Sequence, residues 1–142
     1  VESFPQGEGL STEIWWTGRH PFTSSLTGQT AADLAAAFEE ETGAQSTQPL
    51  GFAHALFEVA VDALKRAGSA DPDALNEALA ATNLATVVGL VDFSSGPVPN
   101  ITKTPLVAGQ WVTGDTYPLE LAVNVNEQLP DLPVDGTIQP IA

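Results

Sequence analysis

Apolar residues along this chain follow one spacing in its first half and another in its second. Residues 9–17, GLSTEIWWT, mix β-branched and aromatic side chains between a glycine and the polar GRHP, which predicts a strand. Thr30 followed by Asp33 reads as a helix cap with an acidic first turn, Leu34 and Phe38 repeat at i and i+4, and Gly43 closes the pattern. These signals predict a first helix over 31–42, with Glu39, Glu40 and Glu41 on a solvated face. In the next segment Phe52, Leu56, Val59, Ala60, Ala63, Leu64 and Ala67 form a 3,4-spaced apolar stripe, ended by Lys65, Arg66 and Gly68. A third helix opens with Asp71 as cap and Pro72 at the first helical position, and presents Leu75, Ala78 and Leu79 to a core. The short joint makes the last two helices packed neighbours.

After Asn83 the period falls to two or becomes continuous: ATVVGLVDF, a turn at SSGPVPN, TPLVAGQWV, a turn at Gly114-Asp115, and YPLELAVNV. Each apolar run is read as one strand. The final LPDLPVDGTIQPIA, with three prolines and no period, is expected to lie extended on the surface. The order β-α-α-α-β-β-β defines an α/β chain with fewer strands than a full parallel unit.

Composition narrows the function. A length of 142 residues, 43% of them hydrophobic, suits one ordinary core, and no apolar run reaches the roughly 18 residues of a membrane span. The start, VESFPQGEGL, has neither the basic residues nor the apolar stretch of a signal peptide, and its Val1 suits a processed or excised product. Eighteen acidic residues against Arg19, Lys65, Arg66 and Lys103 leave a formal charge of −14, which repels a polyphosphate and excludes nucleic acid as a partner. With no cysteine there is neither a disulfide nor thiol chemistry.

Candidate chemistry is sparse. His20 and His54 are the available bases, and His20 lies near Ser24 and Ser25, but no G-x-S-x-G elbow accompanies them, which weakens a hydrolase reading. His54 and Glu58 share a helix face at i, i+4, yet no third metal ligand joins them. No phosphate-cradling glycine loop occurs, and no cofactor is expected. The Asn100-Ile101-Thr102 sequon is too short to weigh. What is left is aromatic and polar: Trp15, Trp16, Gln48, Phe52 and His54, groups that line a small-molecule cavity or fill a core. Adjacent strand residues face opposite ways, so one tryptophan packs inward while the other can border a ligand.

The stretch from GLSTEIWWTGRHPF through HALFEVAVDALKRAGSADPDALNEALAATNLATVVGLVDFSSG to TPLVAGQWVTG resembles the C-terminal part of type I periplasmic solute-binding proteins of the branched-chain amino acid class. The match is carried by ALKRAG, ADPDALNEAL, and TVVGLVDFSSG followed by a strand ending GQW. The resemblance implies a partial two-lobed fold: residues 1–20 a second-lobe strand and crossing, 21–86 the helical part of the first lobe, and 87–142 the return to the second lobe and a tail. It also implies a non-catalytic receptor for an ABC importer, periplasmic or extracellular, lipid-anchored in some full-length forms, with membrane permease subunits as partners. Its ligand would be a branched-chain or related amino acid or small carboxylate held in the interlobe cleft. Trp16, Gln48, Phe52 and His54 are the expected ligand-binding residues, the last three at the start of the second helix, where free N–H groups suit a polar or anionic group. A sensory domain of the same fold is the alternative, with a hydrolase behind it. Strands and apolar faces left without neighbours in a partial fold are expected to drive dimerisation or segment exchange.

Overall fold

The structure is a computed structural model that describes residues 7–140; residues 1–6 and 141–142 of the expected terminal segments lie outside it. Local signals set the helices. Helix α1, Ala31–Thr42, begins at Thr30, whose hydroxyl accepts from the Asp33 N–H while the Asp33 carboxyl accepts from the Thr30 N–H, a complete capping box. It ends where Gly43 turns left-handed with φ 67°. Helix α2, Pro49–Ala67, ends on Gly68 in the same conformation. Helix α3, Pro72–Ala80, starts from Asp71, whose side chain accepts from the Asp73 and Ala74 N–H groups. Arg66 near the end of α2 donates to the Ala78 carbonyl and to Thr82 Oγ1, which ties α2 to the C-terminal end of α3.

Three of the five strands lie in expected runs, and the other two divide a single expected strand. The run ATVVGLVDF is a hairpin: β2, Asn83–Thr86, and β3, Gly89–Asp92, pair antiparallel around Val87 and Val88. Strands β1, Ser11–Ile14, β4, Val107–Thr113, and β5, Leu119–Val125, form an antiparallel sheet in the order β1-β4-β5. Residues 9–17 thus contribute a shorter strand than their composition predicts, because Trp15 and Trp16 leave the ladder.

The chain divides into two units, with residues 16–104 in one and residues 7–15 with 105–140 in the other. The passage between them falls at Trp15-Trp16 on the way out and Thr104-Pro105 on the way back. In the smaller unit Ile14, Val107 and Val123 of the sheet are buried, and so are Leu129 and Leu132 of the C-terminal segment. That segment is therefore anchored, where a surface tail was expected. Asp135 exchanges hydrogen bonds with Val123 through its N–H and carboxyl, both at 2.7 Å, and the Gln110 amide holds Gln139.

In the larger unit the core gathers Trp16, Ala31, Ala35, Ala55, Val87, Val88 and Val91. Helix α2 turns Gly51, Ala55, Glu58 and Ala63 inward, while Leu56 at 72% exposure and Leu64 at 46% face out. The expected stripe is thus only partly the buried one. Apolar residues occupy two opposite faces of this helix, and a 3,4 spacing alone does not choose between them.

Candidate ligand-binding site

The start of α2 is built around a glycine and an indole. Trp16 is 1% exposed, and its ring lies against Gly51, where an added Cβ would sit 2.4 Å from the ring carbons. The glycine in QPLGFAH is thus accounted for by the approach of Trp16. Trp16 Nε1 donates to the Val87 carbonyl at 3.0 Å. Trp16, expected beside ligand, is in this structure a core side chain behind the first turn of α2.

Val87 caps a buried hairpin tip whose polar backbone groups need partners away from water. Trp16 takes its carbonyl, and Glu58 Oε2 accepts its N–H at 3.0 Å. Glu58 Oε1 accepts from both the Ser25 N–H at 2.6 Å and the Ser25 hydroxyl at 2.9 Å. Glu58 is 1% exposed, so it pins loop 24–25, α2 and the β2–β3 tip together. Sequence reasoning weighed Glu58 only as a partner for His54; its position on a face with Gly51 and Ala55 is the signal that it is buried.

The same loop reaches His54. Ser24 Oγ lies 2.8 Å from His54 Nε2 and accepts from the Leu26 and Thr27 N–H groups, each at 3.2 Å. The contact holds the His54 ring through Nε2. Ser24, His54 and Glu58 are thus neighbours without forming a relay: Ser24 is 3% exposed, and Glu58 is engaged by Ser25 and Val87. Among the described residues no group of three His, Asp or Glu side chains is placed to hold a metal.

Phe52 is half-buried and packs on the core beside Trp16, whereas His54 is about 200° further round the helix, facing loop 24–25. Gln48, half-buried, precedes Pro49 as the N-cap and makes no side-chain cap. Gln48, Phe52 and His54 therefore share the start of α2 but not one face, and Trp16 packs behind it. A shallow groove of about 430 Å³ is lined by other residues, Thr12, Glu13, Leu106, Ala108, Val125 and Gln128 among them, all in the smaller unit.

His20 is the second buried imidazole. Its Nδ1 accepts from the Thr17 N–H at 3.0 Å, and its Nε2 has no partner among the described residues. Burial, with the nearby Arg19 charge adding to it, lowers its pKa to about 4.

No family model matches the chain, and no curated protein matches it in sequence. Among solved structures, its fold is similar to that of a leucine binding protein, LivK, from Thermotoga maritima, with a TM-score of 0.60 and 18% identity, covering 85% of this chain. The match takes in 32% of that protein, so the chain spans about a third of its length. The fold is mixed α/β and corresponds to part of a periplasmic binding protein fold, with helices and strands in a consistent order. No helix among the described residues is long and apolar enough to cross a membrane.

Proposed function

We propose that this chain is part of a solute-binding protein that captures a small organic molecule, such as a branched-chain or related amino acid or a small carboxylate, and delivers it to the permease subunits of an ABC importer. The observation that carries this reading is the likeness of 85% of the chain to a leucine binding protein, in the same order of elements. Residues 16–104 and the smaller unit are taken as pieces of two lobes, and the working place as periplasmic or extracellular.

Gln48, Phe52 and His54 are taken as the residues nearest the solute, with Trp16 as the rigid support beneath them. His54, whose ring Ser24 Oγ holds through Nε2 at 2.8 Å, supports a polar solute group there. Binding without catalysis suits a serine whose oxygen is buried and already accepts two hydrogen bonds.

The test is calorimetric titration of the complete polypeptide encoded by the reading frame against amino acids, aliphatic and aromatic carboxylates and sugars. Saturable binding of one amino or carboxylic acid class is expected. Silence across the panel, or turnover of any member, contradicts the reading.

A further inference from the structure

His20 is a buried titratable group that the solute reading does not use, and its surroundings accept one protonation state. The Thr17 N–H meets Nδ1 at 3.0 Å, and an amide N–H can only donate, so Nδ1 is bare and the ring proton sits on Nε2. That Nε2–H is buried without a partner among the described residues. A second proton would have to enter at Nδ1, against the Thr17 N–H. The hydroxyl oxygen 3.2 Å from Nδ1, Thr17 Oγ1, already accepts from the Arg19 N–H. An imidazolium held here would be a buried charge with an unpaired donor, which water relieves once the ring is outside.

The turn that His20 closes is the footing of a longer loop. The His20 N–H donates to the Thr17 carbonyl at 3.1 Å, and Gly18 lies so close to α1 that an added Cβ would sit 2.7 Å from the Ala35 Cβ. Two residues on, the Phe22 carbonyl accepts from the Ala31 N–H, Thr23 bridges to Thr30, and the Ser24 N–H donates to the Gln29 carbonyl at 2.8 Å. Residues 22–31 are thus closed at the neck, and within them Ser24 and Ser25 hold His54 and Glu58 of α2. The charge acting on the His20 ring is that of Arg19, which opposes protonation. Asp33 of α1 is held by Thr30, Glu58 by Ser25 and Val87, and His54 by Ser24, so none of these titratable groups is a hydrogen-bond partner of the His20 ring.

We propose that His20 is an acid-sensitive latch: neutral, it locks segment 17–30, and protonated, it leaves its site and lets that segment open from α1 and α2 while α3 stays folded. The latch stands on the geometry of the turn. Its consequence, loss of the Ser24 hold on His54 and a looser solute border in acid, rests on the functional reading above. Burial is the main cause that holds the ring's pKa down to about 4 against 6.5 unfolded, the Thr17 backbone offsetting part of it and Arg19 adding to it. The open segment therefore takes up a proton between those values, and opening grows about 50-fold from pH 7 to pH 4.5.

The complete polypeptide of the reading frame, with no solute added, is followed by hydrogen exchange and mass spectrometry from pH 7 to pH 4.5, with rates corrected for the pH dependence of the exchange chemistry. Wild type is compared with His20→Asn, whose Oδ1 can accept the Thr17 N–H without titrating, and with His20→Gln. Peptides within 17–30 are expected to open about 50-fold more at pH 4.5 in wild type, those of α3 to change less than about 3-fold, and both variants to lack the rise. Exchange in 17–30 that is flat with pH overturns the inference, and so does a rise that α3 shares or that a folded variant retains. The His20 ring, followed by NMR in wild type, gains its proton over the range in which the segment opens; a ring that stays neutral while 17–30 opens overturns the inference whether or not the variants fold. With no solute present, the result is separate from the functional reading, which the calorimetric panel tests.

Discussion

The buried N–H of Val87 is held by Glu58 Oε2 at 3.0 Å, so an acidic side chain on a core face of α2 completes the backbone of a hairpin tip. Val87 and Val88 are 0% and 2% exposed, and neither has a positive φ; the left-handed position falls on Gly89 at φ 105°. Without Glu58 and Trp16, both polar groups of Val87 would be buried unpaired, at a cost of about 1–3 kcal/mol each. Replacing Glu58 with Gln turns one acceptor into a donor facing the donors of Val87 or Ser25. Glu58→Gln is expected to destabilise the chain by about 1–3 kcal/mol and to speed amide exchange at Val87, measured by urea unfolding and hydrogen exchange. Unchanged stability and exchange would show that water serves the tip equally well.

Gly51 offers a test whose sign is diagnostic. At an unconstrained position inside a helix, glycine to alanine gains about 1 kcal/mol. Here the new methyl meets the Trp16 ring at 2.4 Å, and either the ring or the helix must shift. Gly51→Ala is expected to lose about 1–3 kcal/mol by overpacking, and Trp16→Phe in the same chain to recover part of that loss. A gain in unfolding midpoint for Gly51→Ala alone would contradict the packing described.

His20 makes stability depend on pH. Its pKa in the fold is about 4 against 6.5 unfolded, so between those values the unfolded chain binds the extra proton. The His20 contribution is therefore fully present above pH 6.5, falls as pH drops toward 4, and changes no further below that. The full span amounts to about 3 kcal/mol. Urea unfolding at a series of pH values should show stability rising with pH across this window, and His20→Gln should flatten it. A wild-type profile that is flat between pH 4.5 and 6.5 would place the imidazole in contact with water.

Much of the helical framework was legible because its signals are local. Thr30 with Asp33, Gly43, Asp71 with Pro72, and Gly68 act on backbone groups within a turn of themselves, and they set α1 and α3 and the end of α2 where the pattern put them. The β2–β3 tip was not legible. Two β-branched valines are poor turn residues in water, and they turn here because distant Glu58 and Trp16 satisfy the backbone. The inward face of α2 was hidden for a related reason: which of two apolar faces is covered depends on what packs there. At the candidate site, sequence order brought Gln48, Phe52 and His54 to one helix start, but it did not reveal that Gly51 accommodates Trp16 or that Ser24 fixes the His54 ring.

The central claim is that the first turns of α2 border a bound solute, and the most direct measurement is the change in affinity when that border is altered. In the complete polypeptide, the best ligand from the calorimetric panel is titrated against wild type, Gln48→Ala and His54→Ala, with Glu127→Ala as a control remote in sequence. Loss of one hydrogen bond to a charged or polar ligand predicts about 10-fold weaker binding for either α2 variant, an unchanged control, and thermal stability within a few degrees of wild type. Wild-type affinity in both α2 variants, with the fold intact, would contradict the claim and move the solute elsewhere.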